Sequence, residues 1–287
     1  MARERIDTQG IGLDAGLAFT RWLTGAENLH YGLWTGLEVA AANLRAAQEA
    51  YTEALFSFLP EGRPLRILDI GGGAGETARK LLALGHEVEI VVPSAYLAGR
   101  CKANAPAARL HPCRFEEFAG KGPFDVCLFS ESFQYIPLDL ALDRAAALLA
   151  PGGRIVIGDC FRAEGFVQPP VDAVVGGGHP VGAYRAAVAA RGLEVLEERD
   201  ITEGVAPSVD LEQGFFHVLG HAIGRIDTEL ARARPWQHRA LNWVLGRAIS
   251  ARKRARLEQR LYRNTRTAAV FAANNRYLMT ALAPPRG

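Results

Sequence analysis

Four short apolar runs, separated by stretches with helical spacing, organise the middle of the chain: Ile67–Ile70, Val88–Val92, Val126–Phe129 and Arg154–Ile157. Between them, Gly75–Leu84 and Leu138–Leu149 repeat apolar residues every three to four positions. Strands that are almost wholly apolar, alternating with helices, predict a parallel sheet covered on both faces. A helix over Pro180–Arg191 leads into a strand over Leu193–Asp200, and NRYLMTALA at 275–283 reads as a last strand. Upstream, residues 12–24 and 35–58 are helical in period. In the second, Leu37, Ala40, Ala41, Leu44, Ala47, Tyr51, Leu55 and Phe58 share a face that Pro60 ends. The pattern divides the chain into an N-terminal helical cap (1–62), a sheet core (63–205), a helical insertion (206–270) and a final strand (271–287). An insertion between two late strands belongs over the strand C-termini, where such sheets hold ligands.

Composition narrows the class. A chain of 287 residues, 49% hydrophobic and 22% charged, is globular, with length for one large domain and an elaboration. It has no apolar run long enough to span a bilayer, and MARERIDTQG opens no secretory core. Cys101, Cys113, Cys127 and Cys160 form neither a CxxC pair nor a metal-ligand spacing. The expectation is a cytoplasmic protein with reduced thiols and no metal.

Charge is uneven. Residues 1–219 carry a balance of −9 and residues 220–287 a balance of +11, densest in ISARKRARLEQRLYRNTR at 249–266. The segment is either a solvated helical face or a surface that meets phosphates, an acidic acceptor or an acidic carrier protein.

The chemistry centres on LDIGGGAG, residues 68–75. An apolar strand ends at Asp69, and glycines then allow the backbone to turn tightly and approach a ligand at the head of a helix. The spacing is neither that of a P-loop nor a good match to GxGxxG. With Asp69, Gly71, Gly73 and Gly75, the stretch resembles the first motif of class I S-adenosylmethionine-dependent methyltransferases. FDVCLFSESFQYI (124–136) is similar to that family's fourth strand and its loop, and LLAPGGRIVIGD (148–159) to the turn into its fifth. ENLHYGLW (27–34) resembles the segment that folds over the cofactor in tocopherol-type methyltransferases and cyclopropane synthases.

The resemblance implies a Rossmann-like α/β fold, doubly wound with a mostly parallel sheet and with N-terminal and C-terminal helical lid segments. It implies S-adenosylmethionine as cofactor and methyl transfer to a small-molecule acceptor at oxygen, nitrogen or carbon. Asp69, Gly71, Gly73, Gly75, Ser130 and Tyr31 would border the cofactor, and His30, Tyr31 and Glu131 are the catalytic candidates. Two positions depart from the family pattern. Val92 stands where an acid holds the ribose, leaving Ser94, backbone groups or water. Arg114 or Phe115 stands where an acid meets the adenine amine, leaving Phe115 to stack and Glu116 or Glu117 to supply a polar contact.

Other readings stay open. The sulfonium would also serve alkyl transfer or cyclisation, and Val92 suits a non-catalytic binding protein. His217 and His221 share a helical face without the glutamate of HExxH. Nucleic-acid methylation lacks an NPPY-type motif and an aromatic clamp for a flipped base.

Overall fold

The computed structural model describes residues 8–166 and 175–285; residues 1–7 of the expected N-terminal cap and the last two residues lie outside it. After α1 (Thr8–Thr24) and α2 (Leu44–Phe56), strands and helices alternate: β1 (Arg66–Ile70), α3 (Glu76–Ala83), β2 (Glu87–Val91), α4 (Ala95–Asn104), β3 (Arg109–His111), β4 (Phe124–Ser130), α5 (Leu138–Leu148), β5 (Leu149–Arg162), α6 (Val181–Ala190) and β6 (Glu194–Asp200). The chain is then helical through α7 (Thr202–Val205), α8 (Pro207–Ala233), α9 (Pro235–Ala248), α10 (Ala251–Tyr262) and α11 (Ala268–Asn274), and ends in β7 (Asn275–Ala283).

The sheet order is β3-β2-β1-β4-β5-β7-β6, with β7 antiparallel to both neighbours and the other pairs parallel. Strand order reverses between β1 and β4, so a crevice opens at their carboxyl ends. Alternate residues face opposite layers. Ile67, Ile90, Val126 and Leu128 pack with Leu81, Leu97 and Leu55, whereas Leu68, Ile70, Cys127 and Phe129 pack with Leu142, Tyr184 and Val188. Burial on both faces explains why the strands read as continuous apolar runs.

Three expectations change. Residues 35–40 are turns and bends, so Leu37 and Ala40 are outside the helix, which begins at Leu44 after a 3-10 turn. β5 is 14 residues long, far beyond Arg154–Ile157, because antiparallel β7 supplies partners from Ile155 to Arg162. β3 has only three residues and no apolar run, so its pattern is silent.

The helices between β6 and β7 are joined to the segment before α2. Ser208 Oγ accepts from Gly32 N–H (3.1 Å) and Trp34 Nε1 (2.8 Å), and Phe19 of α1 lies 3.9 Å from Phe215 of α8. α10 crosses α8 at Gly220, where a Cβ would stand 2.2 Å from the Leu261 carbonyl oxygen. Among the described residues no helix is long and apolar enough to cross a membrane.

Gly220→Ala is therefore expected to lose about 1–3 kcal/mol, read as a lower melting temperature. One turn on, a Cβ at Gly224 meets nothing nearer than Tyr262 at 3.9 Å. Gly224→Ala should be neutral or gain up to about 1 kcal/mol from helix propensity; equal melting of the two variants would refute the tight crossing.

Candidate active site

β1 ends in a glycine loop whose backbone dictates its residues. Gly71, Gly73 and Gly75 have φ of +78°, +54° and +87°, the left-handed region costly for a side chain. Close approach adds to this: a Cβ at Gly72 would stand 2.6 Å from Asp69 Oδ2, and one at Gly75 would stand 3.0 Å from the Cys101 Cα of α4. A Cβ at Gly73 would meet, among the described residues, only Leu29 at 3.9 Å, so the loop presents open space beneath the ENLHYGLW segment.

Three acidic side chains lie in or just beyond β1, β4 and β5. Asp69 is fully buried, neither carboxyl oxygen has a hydrogen-bond partner among the described residues, and burial pushes its pKa up to about 7. Asp159 is fully buried too. It accepts from Gln134 N–H (3.1 Å), Gln134 Nε2 (2.9 Å) and Cys160 N–H (2.7 Å), and burial still raises it to about 8.

Glu131, the first residue beyond β4, has φ of +54°, a conformation that strains a residue with a Cβ. Its Oε1 accepts from the Tyr31 N–H (2.8 Å) and from the Tyr277 hydroxyl (2.7 Å). Its Oε2 has no partner among the described residues. Burial raises the group to about 7, against the lowering effect of those two donors. The Tyr277 hydroxyl is also 2.9 Å from that of Tyr51, which reaches the Gly158 carbonyl at 3.2 Å.

The remaining candidates are distributed as follows. His30 is buried and stacks on Tyr51 at 4.4 Å; its Nδ1 meets the Tyr31 carbonyl at 2.8 Å and its Nε2 faces Thr52 at 3.4 Å. Both nitrogens are engaged, and burial lowers its pKa to about 4, so it is neutral at pH 7. The Tyr31 ring packs edge-on against Phe271, and burial holds its phenol protonated, so its contribution is the backbone N–H on Glu131. Ser94 caps α4, accepting from Leu97 N–H at 3.3 Å.

Val92 is buried in the apolar layer with Leu97 and Ala98, so an aspartate there would bury a carboxylate. Phe115 is likewise buried, edge-on to Phe129 with the Arg144 guanidinium over one face of its ring. Glu116, inside a 3-10 turn, and Ser130, the last residue of β4, are half-buried. A cavity of about 350 Å³ lies between α1, Glu27 and Tyr96 of α4.

Residues 43–198 match the model of a methyltransferase domain. The chain is 30% identical to the 27-O-demethylrifamycin SV methyltransferase of Amycolatopsis mediterranei, over 69% of this chain and 78% of that one. It belongs to the methyltransferase-domain family. It is also 38% identical to the ubiquinone biosynthesis O-methyltransferase of Nitrobacter winogradskyi, over only 31% of this chain and 36% of that one. A cyclopropane synthase from Mycobacterium tuberculosis has the same fold, with a TM-score of 0.64 at 17% identity, covering 94% of this chain and 95% of that one. This methyltransferase uses S-adenosylmethionine. Its crevice fits a cationic ligand, with an unpaired buried carboxyl at Asp69 beside a glycine loop open at Gly73.

Tyr51, Tyr277 and Asp159 were not singled out by sequence reasoning. Asp159 had a signal, since it ends an apolar strand as Asp69 does. The tyrosines had none, because both occupy positions that the apolar pattern already uses.

A side chain at Gly73 would fill the open space and adopt an unfavourable φ. Gly73→Val should abolish S-adenosylhomocysteine binding by calorimetry in a protein that still folds; retained affinity would remove the loop from the site. Asp69, Glu131 and Asp159 hold protons that the unfolded chain gives up near pH 4. Below about pH 6.5 the depressed His30, Glu27 and Glu89 oppose this; above it the native state binds more protons than the unfolded one, so cofactor-free stability should fall as pH rises from about 6.5 to 8. Thermal melts that instead rise steadily to pH 8 would contradict these environments.

Proposed function

We propose that the enzyme methylates a hydroxyl of a small acceptor, with Glu131 as general base. The observation that carries this is the asymmetry of its carboxyl group: Oε1 is held by Tyr31 N–H and Tyr277, while Oε2 is unclaimed among the described residues. When bound, S-adenosylmethionine supplies an electrophilic methyl group whose sulfur retains the electron pair of the broken bond. Glu131 takes the acceptor proton as the oxygen–methyl bond forms, and a base near pKa 7 matches neutral operation. Tyr277, backed by Tyr51, fixes the carboxyl and offsets its charge. Asp69 faces the ligand's positive end, and Asp159 holds Gln134 in the loop after β4. The rifamycin relative is named for methylating a 27-O-demethyl acceptor, which supports oxygen over nitrogen or carbon.

The acceptor carries negative charge in this reading. At the inner end of the lid, Arg260 and Arg266 share one carboxylate, Glu212, at 3.4 and 3.1 Å, which leaves an unbalanced positive charge near Tyr31. The buried Cys101, Cys127 and Cys160 are unpaired, as suits a reducing cytoplasm.

Glu131→Gln should lower kcat about 100- to 10,000-fold while leaving S-adenosylhomocysteine affinity nearly unchanged. Activity is to be read against hydroxyl acceptors including 27-O-demethylrifamycin SV. In the parent, kcat/KM should climb with pH through about 7 as Glu131 ionises, and the variant should lose that limb. A variant with parental kcat would exclude Glu131 as the base. Arg266→Gln should raise KM for carboxylated acceptors about 5- to 50-fold, the worth of a charge-assisted contact, with little change for neutral analogues. An equal effect on both would exclude charge recognition.

A further inference from the structure

Beyond the lid's contacts with the crevice, its outer helices are unusual for a folded surface. Every described residue of α9 is exposed except Gln237 and His238, which are half-buried. Its apolar residues are therefore in water: Trp236 is 69% and Trp243 62% exposed, with Leu241, Val244 and Leu245 beside them. The tryptophans, seven residues apart, share one helical face. The second half of α8 continues the surface with Ile223 and Ile226, the latter 67% exposed. Where α8 leads into α9 lies a concavity of about 440 Å³, lined by Ile226, Leu230 and Ala233 together with Arg225, Arg234 and Glu229, the last paired with Arg225 and Arg232. Contiguous apolar surface of this kind marks a contact site.

Charge identifies what covers it. Residues 234–266 hold ten Lys/Arg and one Asp/Glu, a net +9. Lys253, Arg254 and Arg256 are exposed on α10, and α9 itself carries Arg239 and Arg247 with no acid. A second copy docked face to face would set one such field against another, which disfavours self-association. Exposed tryptophans and aliphatic side chains among arginines are what an interfacial helix presents to headgroups: aromatic rings at the polar boundary, apolar residues below it and cations on phosphates.

We infer that α9, with the adjoining faces of α8 and α10, docks the enzyme on an anionic phospholipid surface. The helices lie in the interface plane and do not cross it. Because Ser208, in the first turn of α8, accepts from the segment whose Tyr31 N–H holds Glu131, the docked surface connects through α8 to the crevice.

The test is partitioning of the full-length protein onto phosphatidylcholine vesicles, neutral or with part of the lipid replaced by phosphatidylglycerol. Binding should be at least about tenfold tighter to the anionic vesicles, since each basic residue near such a surface contributes roughly fivefold. It should weaken with salt and be accompanied by a blue shift of tryptophan emission. Trp236→Ala/Trp243→Ala and Lys253→Glu/Arg256→Glu should each reduce it about tenfold or more, with S-adenosylhomocysteine affinity unchanged as proof of folding. Equal partitioning onto neutral and anionic vesicles, or full binding by both variants, would overturn the inference. So would sedimentation showing a dimer that the tryptophan variant dissociates, or capture by an acidic acyl carrier protein without vesicle binding.

Discussion

The structure depends on carboxyl groups buried without a matching cation. Among the described residues Asp69 has no hydrogen-bond partner and Asp159 only neutral donors, while Glu131 has one oxygen anchored and one unclaimed. An ionised carboxylate in such surroundings is costly, so each group holds its proton to near neutrality. A sulfonium and an ammonium arriving together reverse that balance. The glycines after β1 exist so that the ligand can come close enough to do so, and Gly72 is bare because Asp69 occupies the space a side chain would need.

The same constraint explains how the lids connect with the chemistry. Tyr31 N–H and Tyr277 hold Glu131 from two elements distant in sequence, one in the segment before α2 and one in the last strand. That segment is pinned in turn by Ser208 at the start of α8. The orientation of the Glu131 carboxyl therefore depends on how the segment before α2 and the last strand pack around it. The positive φ of Glu131 fits this arrangement, since strain at one residue persists only where its neighbours fix it.

Much of this was legible in the sequence, because burial on both faces of a parallel sheet writes itself as apolar runs. The last strand was read at its full length, and the glycine loop was read between the strand and the helix that it joins. What escaped notice is instructive. Tyr51 and Tyr277 look like core residues because their rings are core; only the hydroxyls matter, and the contact between them spans 226 residues. His30 reads as a titrating group, and stacking on Tyr51 and burial hold it as a neutral imidazole. Val92 reads as the place of an absent acid, and it packs with Leu97 of α4.

The most direct test of the account is the proton balance of cofactor binding, measured by calorimetry in buffers of different ionisation enthalpy. If Asp69 binds a cation, its pKa falls on complexation, and near pH 7 the protein should release about half a proton. Release should grow toward pH 6 and largely disappear in Asp69→Asn. Binding with no net proton exchange anywhere between pH 6 and 8 would contradict the account, since Asp69 would then keep the same proton whether or not the ligand's charge stood beside it.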